Sequence, residues 1–266
     1  MNPDPLAAGR SNASFIAWIG LLFLILPVTV VVPVSFTANR YLSLPTDGWS
    51  LRHYQAILVD PAWRNSVLDS VVVASSSTVL ALLLGTLCAI GCWRISSRLS
   101  EAIRFLMLAP IIVPSIVHAL GFYQAWVQFG LIDSYPGLII AHALKGVPYV
   151  VIAVSASLAN FDVRLEQAAR SLGATVGSAL WRVVLPSVRP GILSGAVFAF
   201  ITSWDELVVT MFITSRRVYT LPRKIWDGIQ DNISPSVAAM ATVLIVLTLL
   251  FIIAHLLYLR RRARAG

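Results

Sequence analysis

The sequence predicts an all-α integral membrane protein with six transmembrane helices, and three observations predict it. Hydrophobic residues make up 58% of the 266-residue chain, charged residues only 12%, and the mean hydropathy is +0.80. A soluble domain is closer to about 45–50% apolar. Six apolar runs can be drawn, each near or above the ~20 residues that cross ~30 Å of hydrocarbon as a helix. The basic residues behind the formal net charge of +8 gather at the ends of those runs. No aromatic platform is interleaved with them, so they read as topology signals rather than as a nucleic-acid surface.

The first run, residues 15–36, follows a tail of residues 1–14. It is longer than the roughly 7–15 residues of a signal-peptide core and no small-residue cleavage site follows it, so it reads as a retained span. The second run, 70–93, holds Cys88 and Cys92, two thiols at helical spacing that read as packing rather than as a disulfide framework. The third, 105–127, carries Pro110 and Pro114. Each proline removes a backbone donor and crowds the preceding turn, so the helix bends there. That bend is either a packing kink or the border of a solute path near His118. The fourth run, 135–159, contains Lys145, the fifth, 191–214, contains Asp205 and Glu206, and the sixth, 236–259, precedes a basic tail of residues 260–266. Gly191 and Gly195 open the fifth run at a spacing that permits close helix packing. The membrane domain is therefore expected over 15–259.

With the N-terminus inside, the cytoplasmic segments hold twelve cations: Arg10, Arg94, Arg98, Arg104, Arg164, Arg170, Arg182, Arg189, Arg260, Arg261, Arg262 and Arg264. The outer loops hold seven, Arg40, Arg52, Arg64, Arg216, Arg217, Arg223 and Lys224. The bias places both termini in the cytoplasm. His53, His118, His142 and His255 lack metal-ligand spacing. The chain also contains no phosphate-binding loop, nucleophile elbow or H-E-x-x-H pair. No catalytic residue, metal or cofactor is assigned to it, and uphill transport would draw on a partner or an ion gradient.

Lys145, Asp205 and Glu206 each cost ~2.5–3.5 kcal/mol when centred in lipid, so they must face protein or water. Counted from the outer ends of their runs, Lys145 lies about 15 Å deep and Asp205 about 13.5 Å, at ~1.5 Å per residue. Asp205 and Glu206 point about 100° apart on a helix. Two arrangements fit. One carboxylate pairs with Lys145 while the other, with Trp204 as a cation–π surface, lines the path of an ammonium group; or both acids are locked in bonds between helices or subunits.

Between the fourth and fifth runs, residues 160–190 form a polar, broken insert that includes EQAARSLGATVGSALWRVVLP (166–186). Leu165, Ala168, Ala169 and Leu172 fall on one face of a short helix, with Glu166, Gln167 and Arg170 off it. Gly173 ends that helix. A second short pattern aligns Val176, Leu180 and Val183 before Pro186 and Pro190 stop it. Amphipathicity alone fits an elbow lying on anionic lipid as well as one docked on a protein.

In this insert, Gln167, Ala168, Ala169, Gly173, Val183, Leu185 and Pro186 stand in the register E-A-A-x3-G-x9-I-x-L-P. The chain thereby resembles the permease subunits of binding-protein-dependent ABC importers. It departs at Gln167, where the motif has glutamate beside which Glu166 stands here, and at Val183, where it has isoleucine. Residues 109–123, 171–214 and 220–242 are similar to the spermidine/putrescine-type branch; some polyamine-type members have an acidic residue where this chain has Ser115. The resemblance implies a type I ABC importer permease fold in a bacterial cytoplasmic (inner) membrane. In it the elbow, through Glu166, Gln167, Ala168, Ala169, Leu172, Gly173, Val183, Leu185 and Pro186, couples to an ATPase. The implied partners are a second permease, homologous or identical, two ATPase subunits that bind ATP and magnesium, and an external solute-binding protein. The implied cargo is a small cationic solute such as a polyamine; the same machine also serves opines, other amines and phosphonates or oxyanions. An ion-coupled carrier or channel, the rival class, has no use for the elbow motif.

Overall fold

The computed structural model describes residues 5–230 and 234–265. Apart from one β-bridge between Thr37 and Trp49, these residues form helices and their connections. A chain this apolar must satisfy its backbone locally, and the helix does so within one segment. In order, the helices are α1 (Pro5–Val34), α2 (Arg52–Val59), α3 (Pro61–Ile95), α4 (Arg98–Ile112), α5 (Ser115–Phe129) and α6 (Tyr135–Ala159). There follow α7 (Val163–Ser171), α8 (Val176–Ser187), α9 (Arg189–Trp204), α10 (Val208–Ile213), α11 (Leu221–Gln230) and α12 (Pro235–Ala265). Helix α1 already begins at Pro5 and α12 continues to Ala265, so both expected tails are helical where they are described. Residues 1–4 and 266 of those tails lie outside the described residues.

By length and apolarity, Ile16–Val34, Pro61–Ile95, Tyr135–Ala159 and Pro235–Leu257 qualify as spans, and two bent helix pairs raise the number to six. The helix boundaries correct the expected outline in three places. The third run is not one bent helix but two, α4 and α5, meeting at 105°. Pro114 lacks an N–H and its ring drives Val113 out of the helical region, to φ −77° and ψ 128°, while Pro110 stays inside α4. The fifth run is also divided. Helix α9 ends at Trp204, and α10 resumes after residues 205–207 because the Glu206 carboxylate accepts from the Val209 N–H at 2.9 Å. Lastly, Pro186 does not end the second elbow helix. Helix α8 carries through it to Ser187 with a π-helical turn at Leu180–Val184, a device that relieves a proline in the next turn. The chain then turns by 66° into α9.

The chain divides into two units, one of residues 1–64 with 225–266 and one of residues 65–224. In the first, Ser35 Oγ and Tyr54 Oη are 2.6 Å apart, and the Phe36 ring packs against Trp49 and Tyr54. The His53 imidazole meets the Asn39 carbonyl at 2.9 Å. Most large apolar side chains on α1 from Ile16 to Val30 are exposed, as a lipid-facing surface requires.

The second unit is organised by α6, on which Leu138, Ala141, His142, Val150, Val151 and Val154 are almost wholly buried. Two apolar clusters lie along it. One joins Val147, Val150, Val151, Val154 and Leu158 of α6 to Ala81 and Ala89 of α3, Val184 of α8 and Ala199 of α9. The other joins Leu138 and Ala141 to Val73 of α3, Ala119 and Trp126 of α5, and Val209 and Ile213 of α10. The Trp126 indole also donates to the Gly137 carbonyl at 2.9 Å, bonding α5 to α6. As expected for Gly191 and Gly195, α9 packs on α6 at contact distance. A Cβ at Gly195 would lie 3.0 Å from the Val150 Cα, and one at Gly191 would lie 2.5 Å from Ser157 Oγ and 2.6 Å from the Ala153 carbonyl. Gly191→Val is therefore expected to push α9 off α6 and cost about 1–3 kcal/mol. The check is thermal melting of the purified protein in detergent, where the variant melts below the parent.

Candidate functional site

Between the two apolar clusters of the second unit lies a polar layer, and its centre is Lys145. The ammonium donates to Ser115 Oγ at 2.8 Å and forms an ion pair with the Glu206 carboxylate. Lys145 and Glu206 are both largely buried, at 11% and 8% side-chain exposure, so water does not screen the pair. Ser115 is the first residue after the α4–α5 break, and Glu206 lies in the α9–α10 break. One lysine on an unbroken helix thus bridges both broken helices.

One turn earlier on α6, His142 repeats the bridge. Its Nδ1 is 2.8 Å from Ser203 Oγ at the end of α9, and its Nε2 is 3.2 Å from Thr210 Oγ1 on α10. Thr210 donates onward to the Glu206 carbonyl at 2.9 Å. The sequence places His142 three residues before Lys145, and residues so spaced share a helix face. That spacing was the available signal; scattered histidines read only for metal spacing conceal it. Ser203 and Thr210 carry no motif and become visible only when the helices pack.

The two acids separate, although the helix on which an offset of about 100° is expected ends at Trp204 and both lie in the break after it. Glu206 is buried, whereas Asp205 is exposed at the C-terminal end of α9, and no ion pair or hydrogen bond engages its carboxylate among the described residues. Trp204 beside it is half-buried and stacks on Phe200 with ring centroids 5.8 Å apart. His118 stacks on Phe122 one turn into α5, and its Nδ1 is buried without a partner among the described residues. Pro110 and Pro114 thus bring Ser115 to the lysine, while His118 lies one turn further along α5. Cys88 and Cys92 are free thiols with sulfurs 3.9 Å apart, packed in α3.

At one end of α6 lies the elbow. Asp162 caps α7 by accepting from the Arg164 N–H, and α7 ends at Gly173, whose φ of +91° an L side chain rarely adopts. Leu165 and Leu172 are 52% and 90% exposed, and Gln167 and Ala168 are exposed while Ala169 is half-buried. The apolar face thus looks away from the chain. Glu166 points the other way, buried in an ion pair with Arg94 at the end of α3. On the second arm, Val183, Leu185 and Pro186 are half-buried, while Trp181 is 73% exposed.

At the opposite end of α6, Asp133 holds the segment after α10. Its carboxylate accepts backbone N–H bonds from Ser215, Arg216 and Arg217 at 2.7–3.2 Å. Burial alone would raise this carboxyl, but those N–H bonds outweigh it and hold it below the ordinary carboxylate range.

Helices broken at one shared charged layer, with an amphipathic elbow at one end, define a membrane transport subunit. Over residues 81–264 the chain matches the binding-protein-dependent transport system inner membrane components, and it belongs to that family. It is an ABC importer permease and a multi-pass membrane protein. It is 28% identical over 244 residues to the spermidine/putrescine transport system permease protein PotC of Escherichia coli K12, covering 92% of both chains. To the putrescine transport system permease protein PotI of the same strain it is 29% identical, covering 85% of this chain and 83% of PotI. It is also 31% identical to the molybdenum transport system permease protein ModB of Mycobacterium bovis, covering 83% of this chain and 90% of ModB. Among solved structures, a bacterial ABC transporter that imports the acidic polysaccharide alginate shares the fold. Its TM-score is 0.74 at 17% identity, with 98% of both chains covered.

The bridged layer makes a specific demand on stability. Lys145→Met leaves Glu206 buried without its countercharge, at an expected cost of about 3–5 kcal/mol. The double variant Lys145→Met/Glu206→Met removes both charges and is expected to recover most of that loss. Melting curves of the two variants against the parent test this, and an additive double variant would show that the pair is not coupled.

Proposed function

We propose that this permease forms one half of the solute path of an ATP-driven importer, and that the path carries a small organic cation of the polyamine class. The observation that carries this reading is the allocation of charge in the polar layer. Lys145 and Glu206 neutralise each other, which leaves Asp205 as the net charge of the layer, exposed at the C-terminal end of α9. A helix C-terminus carries about half an elementary negative charge, so carboxylate and helix end both favour a cation there. Trp204 adds an aromatic surface beside them. The relatives named for spermidine and putrescine support the same class of cargo.

In this reading the working assembly contains a second permease, homologous or identical, and two ATPase subunits that bind ATP with magnesium. A solute-binding protein delivers cargo on the far side of a bacterial cytoplasmic membrane, and both termini of the permease are cytoplasmic. The elbow is the ATPase dock. Its outward leucines and Trp181 form an apolar surface left uncovered among the described residues, which favours a protein partner. Pro110 and Pro114 bring His118 close to the path, with its Nδ1 buried and without a partner among the described residues.

Two experiments test this. First, the binding protein of the same system is titrated with a panel of polyamines, opines, phosphonates and oxyanions, and Asp205→Asn is assayed for uptake. A polyamine preference is expected, with uptake of the cation reduced about tenfold or more by loss of one charge-assisted contact. A binding protein that prefers an anion, or an amide variant with unchanged uptake, contradicts the cationic cargo. Second, Gly173→Val forces a β-branched residue to φ +91° and distorts the elbow between its arms. Solute-stimulated ATP hydrolysis by the assembled complex is expected to fall while membrane insertion persists. Undiminished stimulation with the ATPase still bound would remove the elbow's coupling role.

A further inference from the structure

The segment joining α10 to α11 is fixed along its length by side chains from elsewhere in the second unit. Asp133 binds the N–H groups of Ser215, Arg216 and Arg217, and its own N–H donates to the Ile213 carbonyl at 2.8 Å. Asp69 accepts from the Tyr219 N–H at 2.9 Å and from the Tyr135 hydroxyl at 2.6 Å, and Ser70 Oγ accepts from the Leu221 N–H at 2.8 Å. To reach its donors Asp133 sits at φ +52°, a conformation that costs of order 1–3 kcal/mol in a residue other than glycine. A connecting loop held this firmly is held for a reason beyond joining two helices.

This segment and the start of α11 carry four cations, and the structure treats them in two ways. Arg223 is used internally: it donates to the Thr214 carbonyl and hydroxyl at 2.7 and 2.8 Å and lies over the Tyr219 ring, as does Lys224. Arg216 and Arg217 are exposed, and neither guanidinium has a hydrogen bond or ion pair among the described residues. The acids that hold this segment, Asp133 and Asp69, are occupied by backbone N–H groups and a tyrosine hydroxyl. Two adjacent arginines therefore project from a rigid backbone at the end of α6 opposite the elbow. On the orientation proposed above, this is the outer face, where the positive-inside bias works against arginine.

We infer that Arg216 and Arg217 form a docking ridge for an acidic surface of the solute-binding protein on which this family depends. The inference rests on the importer reading. A soluble partner must land on the face opposite the ATPase, and a pre-ordered ridge lowers the entropy lost on landing. Arginine is enriched at such contacts, and its fork matches carboxylates in pairs. A lipid headgroup needs no fixed backbone beneath the arginines, so the three N–H bonds to Asp133 favour a folded partner.

The test uses the assembled complex, with its ATPase subunits, in nanodiscs of phosphatidylcholine alone and of phosphatidylcholine with phosphatidylglycerol. The solute-loaded binding protein of the same system is titrated, and the concentration giving half-maximal ATPase stimulation is read. Arg216→Glu/Arg217→Glu is expected to raise that concentration about tenfold in both lipids, and Arg216→Gln/Arg217→Gln by about threefold, with a weaker salt dependence than the parent. Melting curves matching the parent's exclude misfolding. An unchanged midpoint in both variants overturns the ridge, and so does a shift confined to nanodiscs with phosphatidylglycerol, which would assign the arginines to lipid. A parent complex that no binding protein stimulates contradicts the importer reading itself, whereas normal stimulation with unshifted variants contradicts only the ridge.

Discussion

A lysine ammonium deep in an apolar helix has to find its countercharge within the protein, and in this permease that requirement shapes everything around Lys145. The ammonium needs acceptors because lipid offers none. It takes one from the start of α5 and one from the gap between α9 and α10, so the two interrupted helices meet on the continuous α6. The apolar clusters above and below this layer supply the low polarity that makes the pairing obligatory. Removing one partner would leave a buried charge, which explains why the pair is a constraint on the fold rather than an ornament of it.

The breaks are tolerable for the same reason. Interrupting a helix in hydrocarbon frees backbone groups that water cannot reach, and such breaks persist only where protein re-satisfies them. At the α9–α10 gap, Glu206 caps the Val209 N–H while its other oxygen holds the lysine, and His142 bonds the last turn of one helix and the body of the next. The side chains that stabilise the gap are thus those that carry the charge. Asp205, one residue away, takes part in none of this and projects from the C-terminal end of α9.

Much of this was legible in the residues, and what was not has a physical reason. Spans appear in composition because about twenty apolar residues are a length requirement of the bilayer. The break at Pro114 follows from a missing donor, but its magnitude, 105°, is recorded in no local pattern, and Pro110 stays inside α4. Pro186 misleads in the opposite sense, because a π turn absorbs it. The similar depths of Lys145 and Asp205 follow from counting residues; that Glu206 rather than Asp205 reaches the lysine depends on how α9 ends. In the elbow, helical spacing identified an apolar stripe but could not tell that it faces outward, because the buried partner of Glu166 is Arg94, seventy-two positions away.

The elbow and the polar layer are also joined by chain connectivity. The first arm of the elbow continues from α6, which runs back to Lys145 about 22 Å from Asn160 at ~1.5 Å per residue. The second arm continues through α8 into α9, which ends at Trp204, just before Asp205, after about 24 Å of helix by the same rise. Each arm of one elbow therefore leads to one side of the same ion pair, Lys145 on α6 and Glu206 beyond α9. The Arg94–Glu166 pair ties the first arm to α3 at the elbow end, where the apolar cluster also packs α3 against α6 and α9. A displacement of the elbow that spreads its arms must then either carry α6 and α9 together as a rigid pair or act on the bond between Lys145 and Glu206. The close packing at Gly191 and Gly195 favours the first of these along most of the length. Past Trp204 that packing gives way to the broken segment, where the bonds of Lys145 and His142 hold α9 and α10 to α6 beside Asp205.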